Sequence, residues 1–333
     1  MFYLINICEF PSFRQKYFST FLVLPSIPSD GEWENAGFSV AGGHDRGNGK
    51  NQLDLPMGLC IDDDDDNDDQ TIFIADQSNH RIIQCKRGET NGVVVAGGNG
   101  EGGDDNQLCN PSDVLIDKQS NCLLICDRGN RRVVRWPRYT GIAKGETLIN
   151  NIDCRGLAMD NQGNLYVSDI ENHEVRRYEI HRGDTKGILV AGGNGKGGDK
   201  NQLKYPTCIF VDRQQSVYLS DKGNHRVMKW KKGANKGIVV AGGKGYGASQ
   251  HQLWSPRGII VDMLGNLYVA EFGDDRVTYW SVGAKEGIVI AGGNDEGAAA
   301  NQFDGPNGLC FDKRGRLYVV DNRNHRVQCF SRK

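Results

Sequence analysis

No apolar run in this 333-residue sequence reaches the roughly 18 residues that a membrane-crossing helix needs; the longest candidate, Phe18 to Leu24, stops at Pro25. Ten cysteines are present, yet none forms a C-x-x-C pair, which excludes a zinc ribbon or RING-type site. Most of them sit in apolar strand patterns, as Cys60, Cys208 and Cys310 do, and read as buried thiols acting as small hydrophobes. The only Asn-x-Ser/Thr match, at Asn110, has Pro111 in its middle and is disqualified for glycosylation. Met1 to Cys8 is apolar but lacks a basic start and a small-residue cleavage site, so it is a poor signal peptide. Together these absences lean toward a cytoplasmic protein with no membrane partner. No stretch holds a 3.6-residue apolar period long enough for a helix.

The formal net charge is only −2, so the molecule as a whole is no magnet for nucleic acid. That figure hides an asymmetry. Seven aspartates crowd between Asp62 and Asp69, leaving +5 on the rest of the chain.

What the sequence has is repetition. Cutting at the prolines exposes one unit: Pro256-Arg-Gly-Ile-Ile-Val-Asp262, Gly265-Asn-Leu-Tyr-Val-Ala-Glu271, Asp275-Arg-Val-Thr-Tyr-Trp280, Gly287-Ile-Val-Ile-Ala-Gly-Gly293. The acid that ends the second segment recurs at Asp76, Asp127, Asp169, Asp221, Glu271 and Asp321, at spacings of 51, 42, 52, 50 and 50. β-Branched and aromatic runs punctuated by Gly and Asn-Gly read as strands. A period near 50 built from short strands is the mark of a propeller blade. The expected fold is all-β: a six-bladed propeller of four-stranded antiparallel blades over residues 37–330, after an N-terminal tail over 1–36. The last copy has three strands, and the orphan Phe38-Ser-Val-Ala-Gly-Gly43 is expected to complete it and close the ring.

At Asp76-Gln-Ser-Asn79-His80-Arg81-Ile82, Asp221-Lys-Gly-Asn224-His225-Arg226-Val227 and Asp321-Asn-Arg-Asn324-His325-Arg326-Val327 the chain resembles the NHL-repeat family. The resemblance runs over about residues 37 to 330 and implies the propeller fold. NHL modules are best known as the C-terminal recognition part of tripartite-motif ubiquitin ligases, where they bind protein or RNA. Related propellers include an amidating lyase. This chain has no RING, no B-box cluster and no coiled coil, so any ligase chemistry in its pathway would come from another chain.

Residues shared by nearly every unit read as scaffold. Asp and Asn of Asp-x-x-Asn-His suit an Asx-type turn. Arg81, Arg132, Arg226, Arg276 and Arg326 are expected to pair within or between blades. His80, His173, His225 and His325 stand at equivalent positions, away from the axis, too far apart around the ring to converge on one ion. A lyase-like, metal-dependent enzyme is therefore the weaker alternative. No cofactor is expected and no catalytic constellation is visible. The Gly-rich stretch from Gly192 to Gly198 lacks the helix and the Gly-Lys-Ser/Thr ending of a phosphate loop, so it reads as a connection between blades.

Function is sought where equivalent positions differ. After the proline position stand Met57, Ser112, Arg155, Thr207, Arg257 and Asn307. They begin the innermost strands and are expected to ring the axis on one face, here called the top, as a contact surface for a protein or peptide. RNA is the alternative partner, with Arg135, Trp136, Arg138, Lys229, Lys231 and Lys232 on the opposite, bottom face as candidate contacts. The acidic run reads as a solvated loop, with Asp62, Asp64 and Asp66 as a weak calcium possibility. The third unit is irregular: Cys154 replaces the proline, Glu174 replaces the arginine, and the loop before it is cut short. That shortening is expected to notch the top rim beside Arg155. The protein is expected to be a monomer.

Overall fold

A computed structural model describes residues 32–62, 70–138 and 144–333. Six four-stranded antiparallel sheets stand around one axis. Blade 1 runs through Pro56–Asp62, Thr71–Asp76, Arg81–Lys86 and Val93–Gly97, from inside to outside. The innermost strands of blades 2 to 6 are Asp113–Asp117, Cys154–Met159, Pro206–Val211, Pro256–Val261 and Pro306–Phe311. Each packs against the innermost strands on either side, and blade 6 meets blade 1, so the ring is closed. Phe38–Gly42 pairs with Arg326–Phe330 and supplies the outer strand of blade 6. No helix among the described residues is long and apolar enough to cross a membrane.

The apolar core is divided among the seams. Side chains alternate across each strand, so every blade has two apolar faces and buries one against each neighbour. Ile74 and Ile83 of blade 1, for example, pack with Tyr318 and Val327 of blade 6, whereas Phe73 and Ile82 pack with Leu123 and Ile125 of blade 2. Near the axis the innermost strands come so close that the position two after the proline is held by glycine. A Cβ on Gly258 would lie 2.0 Å from the carbonyl oxygen of Asn307, and one on Gly156 2.6 Å from that of Thr207. Blades 2 and 4 depart from this rule, with Asp113 and Cys208 at the same step.

Residues 32–36, expected to belong to the N-terminal tail, are among the described residues. Residues 1–31 lie outside the described residues, but 32–36 belong to the ring. Trp33 bridges to Arg332, is buried with blades 5 and 6, and stacks on Phe311 at 6.1 Å between ring centroids. An apolar indole seated in the seam explains why the chain is ordered before the first strand.

Candidate functional site

Each Asp-x-x-Asn-His-Arg segment forms a tight turn at the top whose polar groups are consumed by the scaffold. In blade 4 the Asp221 carboxylate accepts Arg226 Nε at 2.7 Å, Asn224 Nδ2 at 2.8 Å and the Lys204 amide at 2.7 Å. The remaining guanidinium nitrogens of Arg226 donate to the carbonyls of Gly198, Asp199 and Gln202, in the Gly-rich loop that leads into the blade. Arg81, Arg132, Arg276 and Arg326 do the same in their blades. The histidine of the turn reaches the other way. His225 Nδ1 accepts the amide of Ser255, at the start of blade 5, and His80, His173 and His325 accept from Asn110, Tyr205 and Leu55. Burial pushes His173, His225 and His325 below the ordinary imidazole range, which suits a neutral ring accepting an N–H.

These hydrogen bonds constrain a metal-like cluster among the described residues. Ligand atoms of His80, Glu101 and Cys109 lie within 4.8 Å of one another. The Asn110 amide points at Nδ1 of His80, so the neutral ring carries its proton on Nε2, the nitrogen facing Glu101. Burial, then Glu101, pushes the Cys109 thiol up to about 11. With Nδ1 taken by an amide, Nε2 presents a proton where zinc needs a lone pair, so the His80 ring does not fit a zinc ligand.

The seam between blades 2 and 3 is built differently. With the Gly-rich loop missing, there is nothing for a turn arginine to hold, and Glu174 at that position instead binds Arg176 at 2.5 Å. The seam is fastened by a disulfide from Cys126 to Cys154, by Arg128 on Asp153 at 2.9 Å, and by an ion pair of Arg131 with Glu171. The pair Cys126 and Cys154 thus departs from the expectation of buried thiols. An open pocket near this seam is lined by Gln77, Asn110, Arg128, Gly129, Arg131 and Asp153.

The six residues after the proline position do gather at the top of the axis, but four of them turn into the ring. Met57, Ser112, Thr207 and Asn307 are buried. Ser112 Oγ donates to the Cys154 carbonyl at 3.2 Å, and Asn307 Nδ2 contacts Met57 Sδ at 3.1 Å. Arg155 and Arg257 remain. Nη1 of Arg155 and Nε of Arg257 are hidden from water without a hydrogen-bond acceptor. Arg257 lies flat on Phe272, 3.4 Å from the ring centroid, and Arg323 approaches the same ring at 4.8 Å. Burial and then the charge of Arg257 push Lys222 down to about 8; burial and neighbouring arginines also hold Arg155 and Arg257 below the usual guanidinium range. Asp113, missed in the sequence, faces the same region. Burial pushes its carboxyl up to about 7, against the amides of Leu157 and Val114 and the charge of Arg155.

The bottom-face candidates fare differently. Trp136 is a core residue with 1% of its surface exposed, so it offers no face to a base. Arg138 is buried and pairs with Asp62, and Arg135 makes two hydrogen bonds to Glu146. Lys229 is held by Asp212 at 3.1 Å and by the Tyr218 hydroxyl. Lys231 and Lys232 are exposed. Of the calcium candidates, Asp62 pairs with Arg138 through one oxygen; Asp64 and Asp66 lie outside the described residues.

With this geometry in view, the NHL repeat family matches residues 152–178 and 303–330. These two segments are NHL repeats, and they stand in a six-bladed propeller. No curated protein sequence matches it. Among solved structures, a Bacteroides thetaiotaomicron protein of unknown function is similar, with a TM-score of 0.69 and 13% identity over 90% of this chain and 76% of that one. An auxiliary nutrient binding protein from Bacteroides ovatus has a TM-score of 0.67 and 14% identity, over 91% and 77%. A gluconolactonase from Xanthomonas campestris has 0.60 and 14%, over 90% and 98%. At such identities the likeness shows the fold alone.

Proposed function

We propose that this NHL propeller is a binding module that takes a protein or peptide partner on its top face. One observation carries the reading. The turn arginines and histidines spend their hydrogen bonds on the blades, whereas Arg155, Arg257 and Lys222 stand together at the top of the axis with no carboxylate paired to them. Grouped cations left unpaired by the fold are costly unless something outside it meets them. The nutrient binding protein from Bacteroides ovatus supports a binding role for the shared fold. A place in a ubiquitin-ligase pathway, which the resemblance implies, rests on the family and on no residue of this site.

The test is a peptide-display selection on immobilised protein, with the enriched sequences titrated into two variants. Trp254→Ala/Arg257→Glu alters the top and Lys231→Glu/Lys232→Glu the bottom. Loss of binding in the first and retention in the second supports the reading; the reverse pattern contradicts it.

A second reading, RNA, is favoured by one observation, and it moves that alternative from the bottom face to the top. Tyr205, Tyr246 and Trp254 are 39%, 64% and 39% exposed on the top loops of blades 4 and 5, and Lys196 lies 4.4 Å from the Tyr205 ring. Exposed rings beside cations are what single-stranded nucleic acid stacks on. Retention of a single-stranded RNA that falls steeply with salt would favour this reading; no retention at low salt would dismiss it.

A further inference from the structure

The charge at the top of the axis defines what a partner must present. Five cations meet there: Arg128, Arg155, Lys222, Arg257 and Arg323. Arg128 is answered by Asp153 at 2.9 Å and Arg323 by Asp304 at 3.1 Å. Arg155, Lys222 and Arg257 have no ion-pair partner among the described residues. Two carboxylates act on Arg155, Asp153 and Asp113; Asp153 is held by Arg128, and the oxygens of Asp113 already accept the amides of Val114 and Leu157. The carboxylates near Arg155 are therefore engaged elsewhere, and the strongest charges acting on Lys222 and Arg257 are cations.

The protein supplies no acceptor for Nη1 of Arg155 or Nε of Arg257. A neutral acceptor could meet these donors but not the charge they carry, and a cation would be repelled. Guanidinium forks match the paired oxygens of a carboxylate or phosphate, and such charge-assisted bonds are the strong ones. The two donor atoms are also buried. An internal phosphodiester of a continuous strand would have to bend inward to reach them, whereas a terminal group can enter end-on.

We propose that the top of the axis is an oxyanion-binding site in which Arg155, Arg257 and Lys222 receive a terminal carboxylate or phosphate. The proposal rests on the top-face reading above and adds the chemical class of the group recognised. In this arrangement the aromatic rim contacts the body of the ligand, and the three cations hold its charged end.

The test titrates the full chain calorimetrically at low ionic strength with two probes, orthophosphate and a glutamate-ended peptide. The proteins are wild type, Arg155→Gln, Arg257→Gln, Lys222→Gln and, as a bottom-face control, Lys232→Gln. The expected result is saturable binding of at least one probe, weakened about tenfold or more by each axial substitution and unchanged in the control. Because these substitutions remove unpaired cations, melting temperatures should stay level or rise, which separates lost binding from lost fold. Binding of phosphate alone assigns the site to a phosphorylated or free phosphate ligand; binding of the peptide assigns it to a carboxylate. Absence of saturable binding, or equal binding in all variants, overturns the oxyanion site. If display-selected peptides still bind the top face in that event, the module reading stands without it.

Discussion

Cys126 and Cys154 are joined by a disulfide that crosses from the second strand of blade 2 to the first strand of blade 3, with Cα atoms 5.7 Å apart. It sits where the sequence drops both the proline and the Gly-rich loop. A covalent link thus replaces the loop-to-turn hydrogen bonds that fasten neighbouring seams. Such bonds persist in oxidising compartments, which runs against the cytoplasmic leaning of the sequence reading.

Breaking this link should loosen one seam selectively. Closing a loop of 28 residues is worth about 3.5 kcal/mol in the chain-entropy account. Urea unfolding of Cys154→Ser should shift to a lower midpoint by that order, and reductant should shift wild type but not the variant. Thiol titration in denaturant without reductant should leave two of the ten cysteines unreactive. Full reactivity of all ten would contradict the bond.

Removing a turn arginine should be severe. In Arg226→Ala, Asp221 stays buried without its cation, and three loop carbonyls lose their donor. Breaking a buried pair on one side costs about 3–5 kcal/mol. His225→Ala removes one neutral hydrogen bond and should cost about 1 kcal/mol. Equilibrium unfolding of the two variants checks the order; an equal cost for both would contradict the division of labour between arginine and histidine.

Asp113 sets a pH dependence with a defined sign. Its folded-state value, about 7, lies above the unfolded carboxylate value, so the folded protein binds the extra proton. Stability from this group is full below about pH 4, falls as pH rises, and is lost once the pH has passed through 7. The lowered histidines act oppositely, since protonating them on the acid side disfavours the fold. The difference between wild type and Asp113→Asn isolates the carboxylate. The variant should be the more stable at pH 8, with the gap closing toward pH 4. A gap independent of pH would contradict the raised value.

Trp33 should matter to the ring although it precedes the first strand. Truncating a buried tryptophan costs about 3–5 kcal/mol, and Trp33 is 9% exposed between blades 5 and 6. Trp33→Ala should lower the unfolding midpoint accordingly; an unchanged midpoint would show that 32–36 is a loose tail after all.

The repeat made the fold legible because each blade carries the same turn acids, prolines and apolar alternation, and those are the residues that build it. The closing strand at Phe38 could be found because one copy visibly lacked its fourth segment. The site was less legible. A position after the proline marks the axis but not the direction of the side chain, so Met57, Ser112, Thr207 and Asn307 could not be told from Arg155 and Arg257. Asp113 and Cys208 were visible as breaks in Pro-x-Gly; what they face depends on neighbouring blades. The Cys126–Cys154 bond joins residues in separate units, and no spacing announces it. Trp136 shows the converse limit, since a basic-aromatic string reads as a surface until strand alternation sends its ring inward.

The central claim is that a partner is met at the top of the axis. Hydrogen–deuterium exchange with a display-selected peptide bound tests it most directly. The account predicts new protection in the segments Lys204–Thr207 and Trp254–Arg257 and none in Lys231–Gly237 at the bottom. Protection confined to the bottom turns would contradict it.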